Sequence, residues 1–375
     1  MTDRNLYNPR TVIDHADFKK LSGKPEHTDA NIALCYSPEK KVYMVQKPRF
    51  DPAPGQVECH VKATGFCGSD VHFAQHGAIG PMVVDDICGC GHESAGEVTR
   101  VGEGVTDFQP GDRVAIEAGV PCGVCDYCKR GRYNACPDVV FFSTPPHHGT
   151  MTRYHLHPAA WLHKLPESMS FEEGALCEPL AVAMAGMQRN GMRLGDCVVV
   201  CGAGPIGLVT LLAARAAGAI PLITDLSSSR LDFAKKLVPS VKTVLIEKGQ
   251  SPKEVAEKIQ KVASMPVTLA MECTGVESSI HAAIFSMAFG GKVFIIGVGK
   301  DIQTIPFMHL SANEIDLQWQ FRYANQYPRA IRCVANGMID VKPLVTHRFC
   351  LEDAMDGFET AANPASGAIK VQIVD

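Results

Sequence analysis

The chain has 375 residues, 46% hydrophobic and 20% charged; these are ordinary globular values, and the length exceeds what one core usually organises, so two domains are expected. The formal net charge of −4 argues against a nucleic-acid footprint and against attraction to an anionic membrane surface. Fifteen cysteines in a chain whose first residues, MTDRNLYNPR, read as no secretory leader argue against a disulfide framework, leaving metal ligands or small buried apolar residues and a cytoplasmic location.

Residues 1–30 are polar and patternless, and read as an N-terminal arm. From Ala33 to Arg153, short β-like runs such as 57–63 and 94–101 are separated by turns, among them Gly102-Glu-Gly-Val and Gln109-Pro-Gly-Asp, which predicts a mostly β region. The character changes near Gly174. A helical pattern over 178–189 precedes an apolar strand at 197–201, a glycine turn, a helix over 206–217 and a strand at 222–225. Helices over 228–237 and 252–263, a strand at 267–272, a helix over 279–289 and a strand at 292–297 follow. Residues 198–214 carry no charge, but the run is too short to span a membrane and is broken by Gly202, Gly204, Pro205 and Gly207, so it reads as a buried strand, turn and helix. After Leu317 the alternation stops. Helices near 327–337 and 351–362 and a strand over 368–374 complete the chain. The fold class is therefore α/β: a doubly wound parallel sheet over 177–317, inserted into a β-rich domain of residues 31–176 and 318–375. No internal repeat is visible.

Gly202-Ala-Gly204-Pro205-Ile206-Gly207 is G-x-G-x-x-G between an apolar strand and an apolar helix. Gly202 permits the tight turn, Gly204 lets the backbone approach a pyrophosphate, and Gly207 allows close helix–strand packing, with the helix N-terminus facing the phosphate charge. Asp225 ends the next strand, where an acid accepts the adenosine ribose hydroxyls and repels a 2′-phosphate; Leu226 follows it with no adjacent arginine, which favours NAD over NADP. Arg230, one helical turn on, is a further ribose candidate.

Cys122-Gly-Val-Cys125-Asp-Tyr-Cys128 with Cys136 is the strongest single signal. Four thiolates at this spacing wrap one tetrahedral Zn²⁺ in a closed structural site, in a lobe over 119–138. A DNA-binding zinc finger is the rival, and the absence of a following basic helix counts against it. Other possible ligands are scattered: Cys67 in GFCGSDVH, Cys88, Cys90, His92 and Glu93 in ICGCGHE, and Glu178. On an extended strand Cys88, Cys90 and His92 would point one way, so these residues alone leave the ligand set open.

Gly91-His92-Glu93, Cys67-Gly-Ser69, the four-cysteine lobe and the later glycine turn come in the order seen in zinc-dependent medium-chain dehydrogenases. With segments such as HPAAW, CGAGPIGLV, ECTGVESSI, FGGKVFIIGVGK and LVTHRF, the chain from about residue 33 onward resembles the sorbitol dehydrogenase group, and most of all its fungal arabinitol-oxidising branch. The resemblance implies a GroES-like catalytic domain carrying an inserted Rossmann domain, with two Zn²⁺ per chain and NAD. Cys67, His92 and Glu93 would hold the catalytic zinc, with Glu178 beside it as ligand or through water, while Cys88 and Cys90 pack. Zinc would activate a secondary hydroxyl of a sugar alcohol, and hydride would pass to the nicotinamide. Ser69 and His72 match the proton-relay positions. Phe73, Arg322 and Tyr323 match substrate contacts. Thr274, Ile296, Gly297, Val298, Gln320, Phe321 and Arg322 match cofactor contacts.

The implied reaction is L-arabinitol to L-xylulose, with sorbitol, xylitol or galactitol as alternative substrates, in a homotetramer without nucleic-acid or membrane partners. Two departures stand out: Cys90 occupies a usually apolar position, and Gln320-Phe-Arg-Tyr combines features of two branches. Met82 resembles the arabinitol branch. A catalytically silent zinc protein on the same fold is the alternative from another class, and the intact Cys67, His92 and Glu93 argue against it.

Overall fold

The ten-residue strand Gln56–Gly65 builds the frame that carries the metal-ligand candidates. It buries Val57, Cys59, Val61 and Ala63 while His60 and Lys62 stay half-exposed, the alternation of a strand with one covered face. Glu93–Val101 pairs antiparallel along its whole length, Tyr154–Pro158 pairs with 56–60, and Lys370–Val374 pairs with 63–65. Arg113–Ile116, Leu162–Lys164 and Val345–Phe349 complete a seven-stranded sheet. Its register sets Gly65 opposite both Glu93 and Gln372.

The computed structural model describes residues 18–26 and 29–375, which divide into two compact units. The first holds the chain up to Glu178 together with Tyr327–Ala335 and Val345–Asp375; the second holds Pro179–Gln326 and Asn336–Leu344. A smaller sheet of the first unit has the order Lys19–Lys20, Val42–Gln46, Ile32–Tyr36, Cys88–Gly89. The expectation of an arm over 1–30 is thus corrected for its later part, because Lys19 and Lys20 pair with Gln46 and Val45. Residues 1–17, 27 and 28 lie outside the described residues.

The second unit is a six-stranded parallel sheet in the order Lys242–Leu245, Ile220–Asp225, Cys197–Cys201, Leu269–Glu272, Lys292–Ile295, Asp316–Trp319. The strand Cys-Val-Val-Val-Cys is buried at every position, as a strand covered on both faces requires. The order reverses between Cys197–Cys201 and Leu269–Glu272, which opens a crevice at the carboxyl ends of the strands. The uncharged run 198–214 is divided between this strand and the helix Pro205–Ala216, and no described helix is long and apolar enough to cross a membrane.

Four departures from expectation concern edges and boundaries. Lys242–Leu245 and Asp316–Trp319 are the outer strands of the parallel sheet and were not foreseen; each leaves half its residues to solvent, so neither shows a continuous apolar run. The expected domain crossing at 317/318 falls inside Asp316–Trp319, which pairs with Lys292–Ile295, so the second unit runs on to Gln326. The first crossing lies between Glu178 and Pro179 rather than at 176/177. Finally, 351–362 is a 3₁₀ turn, Leu351–Asp353, followed by the helix Ala354–Ala362.

Candidate active site and metal centres

Cys67 caps the N-terminus of the helix Gly68–His76, directly after the strand that ends at Gly65. Its backbone N–H donates to the Asp70 carboxylate at 2.9 Å. Asp70 is fully buried and also accepts from the Gly91 amide at 3.1 Å and the Ser143 hydroxyl at 2.7 Å. One carboxylate therefore ties together three segments distant in sequence. His92 is buried, with Nδ1 3.7 Å from Asp70 Oδ1. Burial opposes the charging of His92, but Cys67 and Asp70 outweigh it and hold the imidazole well above its ordinary value. Burial likewise opposes Asp70's charge, and His92 with the amide and hydroxyl donors brings it below the usual carboxylate range.

Glu93 opens its strand opposite Gly65. A side chain at residue 65 would put its Cβ 2.2 Å from Glu93 Oε2, so glycine there makes room for the carboxylate. Lys370, on the facing strand Lys370–Val374, donates to both Glu93 oxygens at 2.7 Å and to the Phe66 carbonyl at 2.9 Å. Both side chains are almost wholly buried. Glu178 sits in the first turn of the helix Cys177–Asn190. Its carboxyl is pushed up to about 7, by burial first, with Glu93 and Asp70 adding to the effect against the pull of His92 and Lys370.

The ligand atoms of Cys67, His92 and Glu93 lie within 4.8 Å of one another. Glu178 is electrostatically coupled to them but stands outside this three-donor set. A thiol, an imidazole and a carboxylate, with Asp70 and Glu178 as further acids, gather around a single ammonium, Lys370. Such an excess of buried anionic groups fits a divalent cation, and three protein donors are the number that leaves a position open for substrate.

The second cluster is local. Cys122, Cys125, Cys128 and Cys136 bring four sulfurs within 4.8 Å, in a lobe that holds the short helix Asp126–Lys129 and leaves from the hairpin pair Gly119–Val120 and Val140–Phe141. All four are unpaired thiols. The amides of Val124 and Cys125 pull the Cys122 thiol down to about 7, while burial and Cys125 push Cys128 up to about 12. The four thiols cannot all ionise in such proximity without a cation, and four sulfurs suit tetrahedral zinc. Cys88 and Cys90 are instead core residues, packed with Leu34, Phe73 and Met151. Burial raises both thiols, and Cys88 Sγ donates to the His147 carbonyl at 3.2 Å.

Of the other residues singled out in the first unit, Ser69 is half-buried in the first turn of Gly68–His76. His72 lies against His76, with ring centroids 4.4 Å apart. Phe73 is a correction. It is 2% exposed and stacks on Tyr36 in the core, so it offers substrate no exposed ring.

In the second unit the cofactor candidates gather at the carboxyl ends of parallel strands. Gly202 follows the first strand with φ +96°, and a Cβ on Gly207 would stand 1.8 Å from the Gly202 carbonyl, so the turn closes only with glycine. Gly204 caps the helix Pro205–Ala216, whose first position is Pro205, followed by Ile206. The Asp225 carboxylate accepts from the amides of Ala203 at 2.7 Å and Ser227 at 2.8 Å, which locks the acid beside the glycine turn. Arg230 is half-buried on Ser228–Leu237. Thr274 packs against Gly202. Ile296 and Gly297 donate to the Glu272 carbonyl at 2.8 and 3.1 Å, and Val298 is exposed. Gln320 donates its amide to Ile295 at 2.8 Å. The exposed Phe321 ring lies under the Arg322 guanidinium at 4.7 Å. Arg322 has φ +53°, a strained value for a non-glycine residue, and Tyr323 is buried.

Sequence reasoning missed four organisers. Asp70 and Ser143 hold the segments around Cys67 and Gly91. Lys370 holds Glu93, and its signal was the lone charge in the run IKVQIV. Buried Glu272 accepts from the amides of Thr274 at 3.0 Å and Gly275 at 2.8 Å and from the Ser279 hydroxyl at 2.9 Å.

Residues 53–167 match the alcohol dehydrogenase GroES-like domain family, and 205–336 match the zinc-binding dehydrogenase family. The chain is 57% identical over 331 residues to an L-arabinitol 4-dehydrogenase of Aspergillus niger, with 86% of each chain covered. It is 43% identical over 341 residues to a sorbitol dehydrogenase of Bos taurus, covering 91% of this chain and 94% of that one. Among solved structures, an Escherichia coli oxidoreductase/dehydrogenase of unknown specificity superposes with TM-score 0.84 at 35% identity, over 92% of this chain and 99% of that one. A Sinorhizobium meliloti zinc-binding dehydrogenase bound to NADP gives 0.82 at 26% identity, over 93% and 100%. The chain thus belongs to the zinc-dependent medium-chain dehydrogenases, with a GroES-like domain and a Rossmann-like domain. Within that family it falls in the sorbitol dehydrogenase group of polyol dehydrogenases.

Proposed function

We propose that this chain is an NAD-dependent polyol dehydrogenase that holds two zinc ions and oxidises L-arabinitol to L-xylulose. The observation that carries the reading is the set of half-buried Cys67 with buried His92 and Glu93, its donors within 4.8 Å and its segments tied by Asp70 and Lys370. Zinc held there supplies Lewis-acid polarisation of a substrate hydroxyl, and NAD in the crevice beside Gly202–Gly207 supplies the hydride acceptor.

The protein's own groups do the rest. Asp70 and Lys370 orient His92 and Glu93, so that little reorganisation is needed on substrate binding. Glu178, next to the set, would meet the ion directly or through a water. Ser69 and His72 carry the hydroxyl proton away. Arg322 recognises polyol hydroxyls, and the strained backbone there supports a working position. Asp225 selects NAD, since no arginine stands beside it to receive a 2′-phosphate. The four-cysteine lobe holds the second zinc in a structural role.

We assign the protein to the cytoplasm, where its fifteen unpaired cysteines would stay reduced. We further assign it to a homotetramer, in which the outer strand Asp316–Trp319, with Trp319 57% exposed, offers an edge to a second copy. Initial rates with L-arabinitol, xylitol, D-sorbitol and galactitol under NAD, with identification of the ketose formed, test the assignment. L-Arabinitol is expected to give the highest kcat/KM; a preference for D-sorbitol would move the protein to the sorbitol-oxidising branch.

A further inference from the structure

The helix Gly68–His76 carries a pair of histidines that the zinc cluster does not use. His72 and His76 stand at i and i+4, one above the other on one face. Their ring centroids are 4.4 Å apart with planes inclined at 55°. His72 is half-buried and His76 exposed, in the last turn before Gly77 ends the helix. A neutral imidazole keeps one ring nitrogen with its lone pair, the atom by which histidine ligates a metal. Burial and the neighbouring His76 hold His72 below its ordinary value, so it is neutral at physiological pH.

From this geometry we infer that His72 and His76 form a further, solvent-open site for a borderline divalent transition-metal ion, separate from the Cys67–His92–Glu93 cluster and the four-cysteine lobe. Two imidazoles on a rigid helix at i and i+4 are a bidentate donor set. With no carboxylate or thiolate in the pair, it suits Ni²⁺, Cu²⁺ or Zn²⁺ rather than Mg²⁺ or Ca²⁺, and water completes the coordination. Occupation has a consequence that rests on the relay role proposed above. A metal on the remaining lone pair of His72 denies it the proton it would accept, so excess metal inhibits turnover without displacing either zinc.

The test uses zinc-loaded protein titrated with Ni²⁺ by calorimetry, beside H76Q. The wild type is expected to take up one Ni²⁺ per chain with its zinc content unchanged. H76Q should bind it on the order of 100-fold more weakly, because the second metal–ligand bond is no longer intramolecular. Without added Ni²⁺, H76Q should turn over as the wild type does. With it, the wild type should slow while H76Q resists. Equal Ni²⁺ binding by both proteins, or none by the wild type, overturns the site. Binding through His76 that leaves turnover unchanged overturns the inhibition and the relay role of His72, while the site itself stands.

Discussion

The first unit holds two metal-ligand clusters of opposite construction. The four-cysteine lobe takes all its donors from 122–136, around one short helix. The catalytic set takes Cys67 from a helix cap, and His92 and Glu93 from the start of a strand; it is trued by Asp70, Ser143 and a lysine 277 residues beyond Glu93. The lobe is homogeneous, and its four sulfurs would saturate a tetrahedral ion. The other set is mixed, with His92 and Glu93 buried and Cys67 half-buried, and would leave one position open. The difference is the physical distinction between a site that holds a loop together and a site that leaves room for a substrate.

Substitutions sharpen that contrast. Cys67→Ser or His92→Ala should lower kcat/KM by on the order of 10³-fold, the scale of losing a preorganised charge-stabilising group, while NAD binding measured by fluorescence persists; near-normal rates would remove these residues from the site. Lys370→Met leaves Glu93 buried without its counter-charge and should cost about 3–5 kcal/mol of stability in denaturant unfolding, as breaking a buried ion pair does. In the lobe, Cys128→Ser should release one zinc and lower Tm by on the order of 10 °C, while the freshly prepared variant keeps its KM for polyol. A large KM change there would mean that the lobe reaches the chemistry.

Acid–base behaviour distinguishes the catalytic set further. In chelator-treated protein the Glu178 carboxyl titrates near 7, above its unfolded value. The folded state therefore keeps a proton that the unfolded chain gives up. Its contribution to stability is present below about pH 4.5 and is lost as pH rises through about 7. Unfolding midpoints between pH 4.5 and 8 should show this fall, and Glu178→Gln should flatten it; an unchanged slope would place the titration elsewhere. The smallest effect expected is at Asp225→Ser, which should move the NAD-to-NADP ratio of kcat/KM towards NADP by about 10–100-fold and leave zinc content alone.

The two clusters also differ in how legible they were. The lobe could be read from spacing alone, because its ligands are neighbours in sequence. Cys67, His92 and Glu93 are separated by sheet topology, and only family resemblance joined them. Cys88 and Cys90 were open candidates by local spacing, yet the chain folds both into the core with Leu34. Asp70, Lys370 and Glu272 stayed invisible because a buried charge shows itself only through partners that folding supplies. In the parallel sheet the buried strand Cys197–Cys201 was plain, whereas the outer strands Lys242–Leu245 and Asp316–Trp319 were not, since a half-solvated edge lacks an apolar run. Phe73 was a candidate only through the family resemblance, and its ring stacks on Tyr36 in the core.

The most direct measurement is zinc content and NADH formation from L-arabinitol for the wild type and His92→Ala, on the same samples. The expected result is two zinc ions per chain and steady NADH formation in the wild type, against one retained zinc and no turnover in the variant. Two zinc ions with sustained turnover in His92→Ala would contradict the assignment of Cys67, His92 and Glu93 as the catalytic metal site.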